Sequence, residues 1–416
     1  MIRPLLLCGL LLAASIVTSR PAWGDEEGEA SPDGGGAFAG PSSVPSQIVE
    51  DHGPTKTMFR STLLRRTLRP YYAWKDCLQK RHGLQLGGDY TILYQRLSET
   101  LGERDATGAI ARVFGEWQLV NRGCPNGGSL VFKGENRYAM TDVAPQNLGF
   151  EAGYLGVTGP PFSDIRWALT NFYWRQRFAG DRVSVIAGVL DATDYLGVYG
   201  LINPWSSFQN LAFLTNPTIA TPNQGLGIAA SAMLTDHLYV IAGLEDANGD
   251  PTGDPFGSFF GDAEFFKHLE FGWTRSKDRF FLDNVHVTAW HADERESAGV
   301  EESWGVAFSG AFYLCDRWMP FVRGGWSTGN GPVWDRSVGA GVGYFMKRRG
   351  DLAALGVSWG RATGTDDEQW TTELFYRFQL MQSMALTPSV QLLVNPAGNP
   401  DEDVVALFGL RWRVTF

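Results

Sequence analysis

From residue 84 to the end, the chain alternates apolar and polar positions in short runs, and the last run, Val404 to Phe416, is the clearest. Val404, Ala406, Phe408, Leu410, Trp412, Val414 and Phe416 share one parity, while Val405, Leu407, Gly409, Arg411, Arg413 and Thr415 hold the other. A strand turns successive side chains to opposite faces, so both arginines point away from the apolar face. If that face meets lipid, a slip of one residue would bring both arginines into the bilayer, at roughly 2–4 kcal/mol each near the midplane. The pattern predicts a lipid-facing strand that ends on a bare C-terminal phenylalanine.

Sixteen such segments begin near residues 84, 109, 129, 167, 182, 225, 238, 263, 279, 303, 318, 337, 351, 369, 384 and 404. The connections after even-numbered segments are short, and those after odd-numbered segments are longer, with the longest over 191–224. Short turns at one end and long loops at the other mark an outer-membrane barrel. In lipid every backbone N–H and C=O needs an internal partner, which selects a closed, even-stranded sheet. The fold expected is therefore all-β, a 16-stranded antiparallel transmembrane β-barrel with a short N-terminal periplasmic helix, in the bacterial outer membrane.

Parity also assigns an interior. One face carries Trp304, Val306, Phe308, Phe312 and Leu314, or Leu374, Tyr376, Phe378 and Leu380; the other carries Arg112 with Glu116, Lys133 with Glu135 and Arg137, and Asn171, Tyr173, Arg175 and Arg177. His268, Glu270, Arg323, Glu373, Arg377, Gln379, Arg411 and Arg413 extend that polar set, which describes a wet channel of mixed charge.

Ahead of the barrel, residues 1–24 read as a secretory signal peptide: Arg3, an apolar stretch from Leu5 to Ala14, then Ala22-Trp23-Gly24 before Asp25. Residues 25–58 are rich in Gly, Ser, Pro and Glu, hold too little apolar surface to fold alone, and are expected to be a flexible periplasmic arm. Residues 59–83 form an N-terminal helical segment, with the helix itself from Pro70 to His82 and Gly83 as its stop. That helix either packs on the barrel or plugs its periplasmic mouth; the barrel occupies 84–416. The formal net charge of −10 argues against a nucleic-acid partner.

Cys77 in the helix and Cys124 in a short connection fall on the same side of the barrel, which makes a Cys77–Cys124 disulfide a candidate; Cys315 would stay free. Asp246, Asn248 and Asp250 imitate the start of a calcium loop, but Pro251 and Gly257 stand where that loop needs Gly and a bidentate Glu. No HExxH or CxxC spacing accompanies the six histidines, Gly225 to Ala230 imitates a dinucleotide fingerprint with no helix after it, and nothing pairs the serines with His268 or His286. No cofactor, no resident metal and no enzymatic activity are expected.

Two stretches resemble the carbohydrate-selective porins of the OprB type. One is Ala187-Gly188-Val189-Leu190-Asp191-Ala192-Thr193-Asp194-Tyr195, with Phe208 to Phe213, Asn216-Pro217 and Pro222 after it. The other comprises Glu373 to Tyr376, Leu386 to Gln391, Asn395-Pro396, Leu410-Arg411 and the final Phe416. The resemblance covers roughly residues 70–416; Trp74 is followed by Lys75-Asp76 where the family commonly has a Gly pair. It implies a sixteen-stranded channel for passive diffusion of sugars, monosaccharides such as glucose and also disaccharides, without energy coupling. It also implies that the closing strand marks the chain for the outer-membrane assembly machinery.

The residues agree with that implication. The 191–224 connection is uncharged after Asp194 and carries Trp205, Phe208, Phe213 and several amides, surfaces suited to neutral polyols if it folds into the barrel. The expected constriction is formed by Arg112, Glu116, Lys133, Glu135, Arg175, Asp191, Asn210, Glu373 and Arg411. The competing readings are a general or anion-selective porin, given the arginines, and more distantly a barrel-embedded enzyme or an adhesin. The sequence leaves monomer and homotrimer open.

Overall fold

The structure, a computed structural model, describes residues 36–53, 57–59, 62–346 and 350–416. The signal peptide and the first part of the arm lie outside the described residues. The barrel strands are β1 (Leu84–Leu97), β2 (Asp105–Val120), β3 (Gly128–Ala139), β4 (Arg166–Phe178), β5 (Val183–Leu190), β6 (Gly225–Met233), β7 (Leu238–Asp246) and β8 (Phe265–Thr274). They continue as β9 (Asn284–Ala292), β10 (Ser303–Ala311), β11 (Trp318–Ser327), β12 (Trp334–Phe345), β13 (Leu352–Ala362), β14 (Glu368–Met381), β15 (Met384–Val394) and β16 (Val404–Thr415). Each strand pairs with its sequence neighbours, and β16 closes the sheet on β1 with Leu93 opposite Arg411 and Tyr90 opposite Val414.

Closure removes both sheet edges, so the main-chain donors and acceptors of all sixteen strands are taken up inside the wall. The side chains follow the expected parity with polarity inverted relative to a water-soluble sheet. Along β16, Arg411 and Arg413 are buried, while Phe408 and Leu410 are 52% and 43% exposed. The outer face carries aromatic pairs across neighbouring strands, Trp318 opposite Tyr344 with ring centroids 4.5 Å apart and Trp304 near Trp326 at 5.0 Å. This is the arrangement of aromatic rings expected near a membrane surface.

Two strand starts, β2 and β9, differ most from the sequence pattern, by four and five residues. β9 begins at Asn284 because Lys277–Arg279 form a 3₁₀ turn, after which Asp283 accepts from Arg279 Nε at 2.5 Å and from the Tyr313 N–H at 2.9 Å. β2 begins at Asp105, so the first long loop is shorter than expected.

Two helices precede β1: α1 (Val44–His52) and α2 (Thr62–His82). α2 is longer than the Pro70–His82 expected, since the leucine- and arginine-rich run before Pro70 favours helix strongly enough to carry it through a residue that forfeits one hydrogen bond. Gly83 ends it in the left-handed region at φ 70°. The helix is fastened to the short-turn rim: Trp117 Nε1 donates to the His82 carbonyl at 3.0 Å, the Gln118 N–H to Gly83 O at 2.8 Å, and Arg122 Nη1 to Arg81 O at 3.2 Å. Lys75 Nζ reaches the carbonyl of Phe416 at 3.3 Å, joining the helix to the end of the closing strand. These contacts seat α2 on the rim, with Trp74 51% exposed.

The Cys77–Cys124 bridge is not formed; both are free thiols, as is Cys315. Spacing in the sequence placed Cys77 and Cys124 on one side of the barrel but cannot supply the Cα separation and side-chain direction that a disulfide needs. Hydrogen bonds from Trp117, Gln118 and Arg122 do the fastening instead.

The largest departure concerns residues 36–53, which were expected to belong to a flexible arm. They form a turn followed by α1, with Phe38, Val44, Gln47 and Ile48 buried in contact with the barrel interior. The low apolar content of this stretch forbids folding alone, but its few apolar side chains suffice when the barrel supplies the opposing surface.

Candidate functional site: the lumen and its inward loop

The 191–224 connection folds into the lumen, where Tyr195, Tyr199, Trp205, Phe208 and Phe213 are all buried. Its root is closed by one carboxylate. Asp191 Oδ1 accepts from the Thr193 N–H at 3.1 Å and Oγ1 at 2.5 Å, and its Oδ2 accepts from Gln224 Nε2 at 2.8 Å. Asp191 thus holds both ends of the loop together.

Charged side chains on the wall then read the loop backbone. Glu373 on β14 accepts from the N–H groups of Gln209 and Asn210, each at 2.8 Å. Asn210 Oδ1 caps the helical turn Leu211–Leu214 through the Ala212 N–H at 3.0 Å, and Asn210 Nδ2 donates to Gln391 Oε1 at 2.9 Å. Arg411 on β16 donates to the carbonyls of Pro204 at 2.5 Å and Ser207 at 2.8 Å. Arg323 on β11 donates to the carbonyls of Phe213, Thr215 and Gly197 at 3.1, 2.9 and 2.9 Å. Charge-assisted bonds to buried backbone are among the stronger polar contacts available to a protein.

A second layer of charge lies on β1 to β4. Arg112 pairs with Asp89, donates to Gln47 Oε1 at 2.9 Å, and lies 3.6 Å from the ring centroid of Trp205. Trp205 packs with Leu93, Ile110 and Phe162. Arg175 pairs with Glu116, which also accepts from Ser129 Oγ at 2.7 Å. Lys133 sits 3.9 Å from Glu135, 4.0 Å from Asp191 and 3.7 Å from Asp194, and Arg137 bonds Glu135 at 2.5 Å.

All nine residues predicted for the constriction are buried on the inner side of the wall or on the inward loop. The structure brings them together in a different division of labour from a single ring. Asp191, Asn210, Glu373 and Arg411 fasten the loop, Arg112 stacks on it, and the Glu116–Arg175 and Lys133–Glu135 groups form ion pairs on the wall. Sequence reasoning missed Asp89, Trp205 as the partner of Arg112, and Tyr195, which donates to Glu245 on β7. The signal for Asp89 was present, since Asp89, Thr91 and Gln95 share the buried parity of β1.

On the long-loop side, Thr221, Asn223, Asn248, Arg295 and Ser303 line much of a cavity of about 290 Å³. The weak calcium candidate lies nearby and its carboxylates are occupied as turn caps: Asp246 accepts from the Asn248 N–H at 2.9 Å and Asp250 from the Thr252 N–H at 2.8 Å. Among the described residues no group of three or more His, Cys, Asp or Glu side chains is placed to hold a metal ion.

A closed sixteen-stranded barrel with an inward loop narrowing a charged, polar lumen is a porin. The family model described as carbohydrate-selective porin, OprB family, matches residues 126–416, and the chain belongs to that family. It is a passive channel of the bacterial outer membrane selective for carbohydrates, and not an enzyme. No curated protein matches the sequence. Among solved structures, the high-pH structure of Pseudomonas putida OprB aligns with a TM-score of 0.65 at 14% identity, over 83% of this chain and 97% of that one. A mutant of Rh. blastica porin aligns at 0.51 with 10% identity, over 80% of this chain and all of the other. A loop-deletion mutant of OmpT, an outer membrane protein of Vibrio cholerae, aligns at 0.50 with 12% identity, over 80% and 99%. At these identities the likeness concerns the fold.

Proposed function

We propose that the channel passes neutral mono- and disaccharides into the periplasm, and that solute is contacted where residues 204–210 of the inward loop meet Arg112 and Arg411. One observation carries this reading. The amide oxygen and nitrogen of Gln209, Arg112 Nη1 and Arg411 Nε have no protein hydrogen-bond partner in the lumen; they are covered by packed neighbours, which a solute displaces to reach them. A polyol hydroxyl both donates and accepts, so it complements a carboxamide and guanidinium N–H groups together, and Trp205 backs the site by holding the Arg112 guanidinium against its ring. The contacts are few, as flux requires a site weak enough to release its solute. Glu116, Lys133, Glu135 and Arg175 set the field along the path, while Asp191, Asn210 and Glu373 hold the loop in place. Export would remove residues 1–24, and β16 with its terminal Phe416 would serve the assembly machinery.

The test is single-channel recording in planar bilayers with glucose or a disaccharide added at millimolar concentration. Concentration-dependent block of the ion current is expected. Strong anion selectivity without sugar block would replace this reading with an anion-selective porin, to which the lumen arginines would then belong.

A further inference from the structure

Residues 36–53 contribute no strand to the barrel, yet they lie within it. The chain turns at Gly40 against the inward loop: an added Cβ there would stand 2.0 Å from the carbonyl oxygen of Asp194, so only glycine permits the approach. Phe38 packs edge-on against Tyr195 at 5.1 Å, and Asn203 Nδ2 donates to the carbonyl of Pro41 at 3.0 Å. From there α1 runs past the arginine wall. Gln47 Oε1 accepts from both Arg112 and Arg413, Asp51 pairs with Arg413 at 2.9 Å, and Glu50 with Arg377 at 3.4 Å. The segment leaves at the short-turn end, where Gln382 Nε2 donates to Gly53 O at 2.8 Å and the Met58 and Phe59 N–H groups bond the carbonyls of Gln379 and Leu380. It therefore touches β1, β2, β14, β16 and the loop that narrows the lumen.

We propose that the lumen contains a binding site for this chain's own residues 36–53, and that the bound segment narrows the channel from its periplasmic side. The site has three parts: a glycine-sized cleft beside Asp194, an apolar seat for Phe38, Val44 and Ile48, and an arginine wall of Arg112, Arg377 and Arg413 that receives Gln47, Glu50 and Asp51. The segment is bonded along its length largely through side chains, and the three rim hydrogen bonds at Gly53, Met58 and Phe59 lie at or beyond its C-terminal end, so it can leave without unpairing any strand. Its departure would widen the path below the inward loop. It would also leave Arg112, Arg377 and Arg413 without Gln47, Glu50 and Asp51, tilting the lumen toward anions.

Conductance and reversal potential of the full mature chain are compared with those of a chain lacking residues 36–53 and of a full-length Gly40→Val variant, which blocks docking while leaving every barrel residue in place. Folding of each is checked by heat-modifiable gel mobility. Both variants are expected to conduct at least about twofold more than the intact chain and to shift toward anion selectivity. A synthetic peptide of residues 36–53, added to the short-turn side of the deleted channel, should restore the lower conductance, and the same peptide with Ile48→Asp should not. Folded variants that conduct no more than the intact chain, or a peptide without effect, overturn the proposal. Ions report the opening, so the result is independent of which sugar the channel takes.

Discussion

Two chain segments share the lumen, the inward loop over 191–224 and residues 36–53, and they are fastened by different means. The loop is tied at both ends to adjacent strands, closed at its root by Asp191, and held by wall charges that bond its main chain. Glu373 takes two N–H groups, and Arg323 and Arg411 together supply five bonds to loop carbonyls. Residues 36–53 meet the same wall largely through the side chains of Gln47, Glu50 and Asp51. A buried main-chain group has no alternative partner and is costly to strand, whereas a side chain can swing away into water. The wall therefore fixes one segment as part of the barrel and receives the other as a guest.

The strongest way to break this contrast is Glu373→Leu. It leaves the Gln209 and Asn210 N–H groups buried and unsatisfied, at about 2–6 kcal/mol against the docked loop. Limited proteolysis of the folded barrel should then cut within residues 191–224, with noisy, enlarged currents; an uncut loop would mean that the backbone-directed bonds are not what holds it. Trp205→Ala comes next. It removes the ring under Arg112 and its packing with Leu93, Ile110 and Phe162, and sugar block should weaken roughly tenfold, or about 1.4 kcal/mol. Unchanged block with altered noise would assign Trp205 to fastening alone.

Glu50→Gln should act far less. The pair with Arg377 is long and Glu50 is 35% exposed, so the loss is below about 1 kcal/mol and conductance should rise only slightly. The smallest effect expected is none: the three cysteines among the described residues are free, so a reductant should leave the current unchanged. A maleimide should label exposed Cys124 and Cys315 faster than half-buried Cys77. A reductant-sensitive current would reinstate a covalent tether between α2 and the β2–β3 turn.

The wall was legible in the sequence because a lipid-facing strand writes its two faces as odd and even positions, and Arg411 with Arg413 could not occupy the other parity. The length and composition of 191–224 likewise announced the inward loop. What each lumen charge touches was not legible. Parity places Glu373 inside but cannot show that its oxygens are consumed by two loop N–H groups, since that depends on how a distant, irregular segment folds. Residues 36–53 were hidden by averaging. Phe38, Val44 and Ile48 are too few to raise the apolar content of a Gly- and Ser-rich stretch, and their partners come from strands hundreds of residues away.

The clasp at Asp191 has a mechanical consequence. With Thr193 and Gln224 gathered on one carboxylate, the loop is closed into a ring at its root between β5 and β6, and the wall charges grip the rest of that ring by its main chain. Strain from a solute wedging past Trp205 is therefore shared between the clasp and the bonds from Glu373, Arg323 and Arg411. Because those bonds go to the main chain, natural drift or laboratory grafting can change side chains of the loop that make no wall contact of their own, to suit a new cargo, without loosening its hold.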